Sequence, residues 1–280
     1  MIRQDIRLLF TDLDGTLLMD DHITVSHRNC TALLAMKRAG VKLCACTGRV
    51  RCLLPESVNE LGFDYAITSN GASCVDLRTG EEIFSAYISA EQAALAWRYT
   101  KPLDALVEWY VGGEILMDRK NYSLWPDRLR PHWHRTYLAS GKGIFYENIE
   151  EYFEQGAPKL EKINLCDKPS DVKDKLIDPL HATGLFEISS SLGRNLEITD
   201  IGADKGRALM SLCEHLGIST NQTIAFGDGG NDVQLLKAAG TGVSMGNSVP
   251  EARASAKYTT LSNQLDGVAV YLEENVLISD

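Results

Sequence analysis

Short apolar runs alternate with helical patterns at both ends of this chain, and this alternation restricts the fold more than any other feature. The runs RLLFTD (7–12), VKLCAC (41–46) and YAITS (65–69) each predict a buried strand, and the helical segments between them stop near Gly40 and Gly62. The same alternation of helix and strand returns late in the chain, in 202–217, 223–228, 231–240 and 241–246. Alternating strands and helices predict an α/β fold, with a doubly wound parallel sheet.

The middle of the chain differs in composition, because it holds all four tryptophans and seven of the ten tyrosines. Its patterns predict two strands around a Gly-Gly turn in 105–118, an alternating strand in 159–166 and a helix in 171–184. These elements predict an inserted α+β domain. A single large sheet with aromatic core helices is the alternative.

The expected domain boundaries follow from this change in composition. We expect the two ends of the chain, residues 1–83 and 196–280, to form one domain, with residues 84–195 inserted into it. At 280 residues with 44% hydrophobic content, the chain is long enough for one or two globular domains.

The net charge restricts the kind of partner that we expect, and the cysteines indicate the cellular compartment. A formal net charge of -10 argues against binding to nucleic acid or to an anionic membrane, so we expect a small-molecule partner. The seven cysteines form no CxxC pair, which favours reduced thiols in a cytoplasmic protein. The charged stretch before Leu8 does not resemble a signal peptide, and no apolar run approaches the length of a membrane span. We expect a monomer or a small homo-oligomer.

The first apolar run ends in two aspartates, Asp12 and Asp14, which flank Leu13. Ligands of open α/β sheets bind beyond the carboxyl ends of the strands, where these residues lie. In an extended chain the two carboxylates would point the same way and repel each other, and a hard divalent cation such as Mg²⁺ would relieve that repulsion. A surface turn that begins at Asp-Gly is the structural alternative.

Residues suited to binding a phosphate or a metal occur at three further places in the chain. Thr47 and Gly48 come directly after an apolar run and offer a hydroxyl and a backbone amide to a phosphoryl oxygen, although a simple helix cap would look alike. Asp228 and Asp232 follow a later run within a glycine-rich loop. Lys205 lies near the start of a predicted helix, where it could neutralise a phosphate or a carboxylate, or face solvent. Chance accounts poorly for their joint occurrence.

The four segments DLDGT, CTGR, Lys205 and GDGGND resemble the four motifs of the haloacid dehalogenase superfamily of phosphatases. The segment 238–260 resembles the Cof-type branch of that superfamily, as do SNGA (69–72) and LEIT (196–199). That branch carries a large α/β cap between its second and third motifs, where this chain has its aromatic middle. Gly230 and Cys46 depart from the usual pattern at positions without a chemical role.

The resemblance implies a role for each motif carboxylate. Asp12 would attack phosphorus and form an aspartyl-phosphate, and Asp14 would act as general acid and then as general base. Mg²⁺ would be held by the Asp12 carboxylate, the main-chain carbonyl of Asp14 and Asp228, with Asp232 close behind.

The remaining motif residues would bind the phosphoryl group. The resemblance assigns its oxygens to Thr47, Gly48 and Lys205, while Asn231 orients the lysine or the phosphate. Arg49 would brace the helix.

The implied activity is hydrolysis of a small phosphate ester. A phosphomutase would share the aspartyl-phosphate, whereas a signalling receiver domain would need less than half of this chain and a dehalogenase would lack an acid/base at Asp14. Sugar phosphates are the expected substrate class by family analogy, followed by flavin and pyridoxal phosphates. The insertion would select among them, with candidate contacts at Trp125, Arg128, Arg130, His132 and Trp133.

Overall fold

The computed structural model describes residues 5–103, 105–123, 137, 143–166, 172–190 and 195–278. The chain divides into two compact units. The first unit comprises Met1–Arg49, Leu54–Ser85 and Asp204–Asp280, and the second comprises Val50–Leu53 and Ala86–Ala203.

The regular elements follow one another in the order that the apolar patterns predict, with additional short elements. The strands are β1 (Leu8–Asp12), β2 (Lys42–Cys46), β3 (Tyr65–Thr68), β4 (Ser73–Asp76), β5 (Glu82–Ser85), β6 (Val107–Val111), β7 (Glu114–Asp118), β8 (Ile144–Tyr146), β9 (Leu160–Leu165), β10 (Phe186–Ser189), β11 (Leu196–Asp200), β12 (Thr223–Gly227), β13 (Thr241–Ser244) and β14 (Tyr258–Thr259). The α-helices are α1 (His27–Arg38), α2 (Glu56–Glu60), α3 (Ala90–Thr100), α4 (Arg119–Ser123), α5 (Glu150–Glu154), α6 (Asp178–His181), α7 (Lys205–Leu216), α8 (Val233–Ala238), α9 (Pro250–Ser255) and α10 (Gly267–Asn275).

The first unit is built on an eight-stranded sheet in the order β14-β13-β12-β1-β2-β3-β4-β5. Neighbouring strands from β14 to β3 run parallel, and the last two pairings, β3 with β4 and β4 with β5, are antiparallel. Both faces are covered, since Leu9 of β1 joins one apolar cluster while Leu8 and Phe10 join another. Burial on both faces explains why these strands read as continuous apolar runs. The predicted α/β fold with a doubly wound parallel sheet is confirmed.

Helices cover both faces of this sheet. Residues of α1 and α10 belong to the first cluster, and residues of α7 and α8 belong to the second. Ser26 caps α1 by accepting a hydrogen bond from the backbone amide of Asn29. Asp204 caps α7 in the same manner, by accepting from the amide of Arg207 at 2.7 Å.

The second unit contains a six-stranded sheet in the order β10-β11-β9-β6-β7-β8. One face of this sheet packs against α3 and α5 in an apolar cluster that includes Trp109 and Ile163. The Gly-Gly turn joins β6 to β7 as predicted, but the predicted helix in 171–184 is divided into a helical turn, Lys173–Ile177, and the short α6.

The boundary of the insertion differs from the predicted one. The sequence pattern ends the insertion at residue 195, whereas β11 pairs with β9 and β10 inside the second sheet. Leu196 and Ile198 alternate into the apolar cluster of the second unit, and Glu197 pairs with Lys162 on the other face. A strand with these partners belongs to the second unit, which continues to Ala203.

Two further observations concern the cysteines and the lengths of the helices. The seven cysteines, all of them in the described part of the chain, are thiols outside any disulfide. Among the residues that the structure describes, there is no helix with both the length and the apolar character needed to cross a bilayer.

Candidate active site

The parallel strands β2, β1 and β12 lie side by side, so their carboxyl ends meet at one edge of the first sheet. Asp12 is the last residue of β1, Thr47 directly follows β2, and Asp228 directly follows β12. The topology therefore brings three of the predicted site residues to a common edge, although they are up to about two hundred positions apart in the chain.

Lys205 is the centre of this site. Its ammonium donates hydrogen bonds to Oδ1 of Asp12 and to Oδ1 of Asp232, each at 2.6 Å, and its side chain is fully buried. Burial opposes the charge of Lys205, but the two carboxylates outweigh it and raise the pKa of the ammonium. The two carboxylates therefore favour the charged form of Lys205.

The surroundings of Asp12 favour its neutral form, whereas those of Lys205 favour its charged form. Its burial, followed by the nearby charge of Asp232, raises its pKa well above the ordinary value, and the charge of Lys205 only partly offsets this. Three carboxylates, those of Asp12, Asp228 and Asp232, each offer an oxygen within 4.8 Å of the others. One lysine does not neutralise such a group, and hard oxygen donors at this spacing suit Mg²⁺.

Asp228 is held by a residue that the sequence patterns did not single out. The hydroxyl of the buried Thr16 donates to Oδ1 of Asp228 at 2.7 Å. Burial and the charge of Asp232 raise the pKa of Asp228 to about 6, although the hydrogen bond from Thr16 lowers it. Asp232 is fixed from its other side, since its Oδ2 accepts from the backbone amides of Asp228 and Gly229.

The carboxylates of Asp12 and Asp14 have different partners, because the chain does not continue as an extended strand. The strand ends at Asp12, and the chain turns into the helical segment Leu13–Leu17. Arg49 then binds Asp14 with both Nε, at 2.8 Å, and Nη2, at 2.6 Å. His22 completes the cluster with Nδ1 2.8 Å from Oδ1 of Asp14.

These partners reverse the expected pKa shift of Asp14. Burial favours the protonated form, but the hydrogen bonds and charge of Arg49, with His22, outweigh burial and lower its pKa. The repulsion expected between Asp12 and Asp14 therefore does not raise the pKa of Asp14, because a cation of the chain itself, Arg49, binds this carboxylate. Arg49 binds this carboxylate instead of merely bracing a helix.

The loop after β2 forms a second part of the site. The Thr47 hydroxyl accepts from the amide of Arg49 at 3.0 Å. Nδ2 of Asn231 donates to Oδ1 of Asn70 at 3.0 Å, and both side chains lie beside Gly48. The predicted residues Thr47, Gly48 and Asn231 are therefore in one neighbourhood, together with Asn70.

Three residues of the site were missed as contributors: Thr16, His22 and Asn70. Thr16 belongs to the quoted DLDGT motif and Asn70 to SNGA, so their motifs were visible while their individual contacts were not. No local pattern marks His22, whose contact depends on the loop that follows the first motif. The predicted contacts of the insertion, Trp125, Arg128, Arg130, His132 and Trp133, lie outside the described residues.

Comparison with known proteins agrees with this geometry. The family model of haloacid dehalogenase-like hydrolases matches residues 9–272. The 5-amino-6-(5-phospho-D-ribitylamino)uracil phosphatase of Bacillus subtilis is 27% identical over 274 residues, covering 98% of this chain and 97% of its own. An HMP-PP phosphatase of Escherichia coli is 29% identical over 256 residues, covering 89% of this chain and 87% of its own.

A solved structure shows the same architecture. The haloacid dehalogenase-like hydrolase from B. subtilis has a TM-score of 0.79 at 27% identity, and the match covers 96% of this chain and 99% of that one. Both the family model and the named relatives span nearly the whole chain. The chain belongs to the haloacid dehalogenase-like hydrolase family and is an enzyme of its phosphatase class.

Proposed function

We propose that this phosphatase hydrolyses a small phosphate monoester, with a sugar phosphate as the first candidate, in a Mg²⁺-dependent reaction through an aspartyl-phosphate at Asp12. The observation that carries the proposal is the contact of Asp12 with the buried Lys205, beside two further carboxylates. A nucleophilic carboxylate next to a fixed cation is suited to attack on a dianionic phosphoryl group.

Mg²⁺ would be held by Asp12, Asp228 and the main-chain carbonyl of Asp14, with Asp232 behind them. The cluster of three carboxylate oxygens within 4.8 Å supports this assignment. When bound, the ion neutralises phosphoryl charge and orients the ester.

Different residues of the chain attack the phosphorus atom and bind the phosphoryl oxygens. The carboxylate of Asp12 attacks phosphorus, and its new bond to phosphorus forms as the bond to the leaving alkoxide breaks. Lys205 holds its charge at this point because its pKa is raised. Thr47, the Gly48 amide and Asn231 bind the other phosphoryl oxygens.

Asp14 moves the protons. Its carboxyl group protonates the leaving alkoxide in the first step, and its carboxylate then takes a proton from the water that hydrolyses the aspartyl-phosphate. Arg49 and His22 favour the carboxylate, which is the form that the second step needs.

The insertion would select the substrate, and four buried polar side chains on one face of its sheet supply groups suited to this. Glu108 accepts from Nδ2 of Asn164 at 2.9 Å, and Lys162 pairs with Glu197 at 2.9 Å. All four side chains are buried on the face opposite the apolar cluster. Carboxylate, amide and ammonium groups of this kind recognise hydroxyl-rich leaving groups, because each can donate to or accept from an alcohol.

A phosphate ester with an aromatic ring is a second candidate substrate. The named B. subtilis relative acts on a uracil-bearing ribityl phosphate and is similar over nearly the whole chain. The panel of esters should therefore include sugar, flavin, pyridoxal and pyrimidine phosphates.

The test of the proposal is a phosphate-release screen over that panel with Mg²⁺. We expect turnover that excess chelator abolishes, and acid-quenched protein that carries hydroxylamine-labile ³²P from labelled substrate. Asp12→Asn should neither turn over nor become labelled. Full activity in chelator would contradict the metal requirement, and an isomerised sugar phosphate without free phosphate would instead indicate a phosphomutase.

The insertion's role has a separate test. Glu108→Gln should change the ranking of substrates in the panel while leaving hydrolysis of p-nitrophenyl phosphate near the wild-type rate. Glu150→Gln is the matched control, because Glu150 lies on α5 and pairs with Lys101 and Trp97. Equal rescaling of all substrates would contradict selection by this face.

A further inference from the structure

The helical turn Ser69–Gly71, which follows β3, has an unusual backbone. Ser69 and Asn70 have φ values of 51° and 60°, and Gly71 has a φ of 100°. Residues with a Cβ rarely adopt the left-handed region, and two of them in succession persist only where surrounding contacts enforce them. None of the motif roles assigned to this phosphatase accounts for this turn.

Contacts on two sides hold the turn in place. The amide of Asn70 donates to the carbonyl of Thr47 at 3.2 Å, and the amide of Ser69 donates to the carbonyl of Arg49 at 2.9 Å. On the other side, a Cβ on Gly71 would overlap the carbonyl of Asp204 and lie 2.6 Å from the backbone nitrogen of Lys205. The turn thus packs between the phosphate-binding loop and the residue that caps the helix of Lys205.

The side chain of Asn70 extends this connection to a third segment. It is buried, and its Oδ1 accepts the hydrogen bond from Nδ2 of Asn231 at 3.0 Å. The same Oδ1 lies 2.8 Å from where a Cβ of Gly48 would stand. One amide therefore touches two of the groups proposed to bind the phosphoryl oxygens.

We infer that Asn70 is a positioning residue of the phosphoryl pocket, which it serves by fixing the amide of Asn231 and packing against Gly48. This inference rests on the proposed function. A neutral amide is needed here, because an aspartate would also accept from Asn231 but would place a negative charge beside a dianionic ligand. The left-handed backbone is what brings this side chain to the loop.

Two substitutions of Asn70 distinguish the effect of its side-chain amide from the effect of its left-handed backbone. Asn70→Gly keeps the left-handed conformation at no steric cost and removes the side chain. Asn70→Asp keeps an acceptor of nearly the same shape and adds a charge. The control is Asp266→Gly, which changes another left-handed residue of the first unit, with a φ of 56°, at the start of α10.

The readouts are the thermal midpoint and the binding of inorganic phosphate and orthovanadate in Mg²⁺, by titration and by inhibition of p-nitrophenyl phosphate hydrolysis. We expect Asn70→Gly to keep the wild-type midpoint and to bind orthovanadate about tenfold to a hundredfold more weakly. Asn70→Asp should weaken inorganic phosphate at least as strongly, with KM rising. Asp266→Gly should leave both constants unchanged.

The outcomes distinguish this inference from the function on which it rests. Wild-type affinity for both oxyanions in Asn70→Gly and Asn70→Asp would overturn the inference alone. A wild-type protein that binds neither oxyanion and hydrolyses no ester would overturn the proposed function and the inference with it.

Discussion

Asp12 and Lys205 form a buried ion pair. In the metal-free protein Lys205 does not depend on Asp12 alone for a carboxylate partner. Lys205 keeps its contact with Asp232 when Asp12 becomes neutral. We therefore expect Asp12→Asn to abolish turnover while the thermal midpoint in chelator equals or exceeds that of the wild type, because one of three crowded carboxylates is removed. Differential scanning fluorimetry with and without Mg²⁺ checks this, and the midpoint should rise less with Mg²⁺ in the variant. Asp266→Asn is the control, and a lost transition in Asp12→Asn would contradict the prediction.

Asp228 should make the stability of the metal-free protein depend on pH. Its folded pKa of about 6 lies above the ordinary value of 3.8, so the folded state holds this proton more tightly than the unfolded state. The contribution favours the fold at low pH and is lost as pH rises through about 6. Asp228→Asn removes it, so the midpoint of the variant relative to wild type should be higher at pH 7 than at pH 5 in chelator. If the midpoints of variant and wild type differ by the same amount at pH 5 and pH 7, the pKa of Asp228 is not raised in the folded protein.

Asp14 connects the site to Arg49, whose guanidinium binds both carboxylate oxygens. Arg49→Met should misplace the carboxyl group of Asp14, which we propose as the proton donor to the leaving oxygen. We expect a loss of roughly tenfold or more in kcat for alkyl phosphates, which need that proton, and a smaller loss for p-nitrophenyl phosphate, whose leaving group needs it less. Steady-state kinetics on both substrates check this, and equal losses would show that Arg49 acts elsewhere.

At the scale of elements, helix α7 both supports the first unit and carries Lys205 as its first residue. Asp204 caps it at 2.7 Å through the amide of Arg207. Asp204→Ala should lower the free energy of unfolding by about 1 kcal/mol and also reduce kcat, since the backbone of Lys205 loses its anchor. Ser26→Ala, which removes the cap of α1, should cost a similar amount without changing kcat. Denaturant titration and kinetics of the two variants separate stability from activity.

The elements near the site were predictable because their signals are local. An apolar run that ends in Asp12 and a second that ends before Thr47 indicate strands, and parallel pairing then places their ends together. The direction of Asp14 was not predictable, because it depends on where β1 stops and on a guanidinium 35 positions away. The end of the insertion was placed before β11 for a similar reason. Glu197 of β11 pairs with Lys162, which lies 35 positions away on β9.

At the scale of the whole molecule, all the motif residues lie in the first unit, which has its own sheet and two apolar clusters. We predict that a chain in which residues 86–203 are replaced by a short Gly/Ser linker folds and binds Mg²⁺. The join should follow Ser85 and precede Asp204, because β11 pairs inside the second sheet. The segment Val50–Leu53 also belongs to the second unit but stays in this variant. Val50 packs there against Tyr110 and Ile115, so it should be replaced by a polar residue.

The shortened chain should also separate the chemistry from the choice of substrate. Contacts to the phosphoryl group are common to all esters, whereas discrimination requires contacts to the leaving alcohol. We expect slow hydrolysis of p-nitrophenyl phosphate with a strongly reduced spread of kcat/KM across the panel of esters. We expect the slower rate because contacts to the leaving alcohol also help to orient an ester for attack. A shortened chain that retains the wild-type ranking would show that the first unit selects the substrate, and a Mg²⁺-independent midpoint would contradict the placement of the metal ligands in that unit.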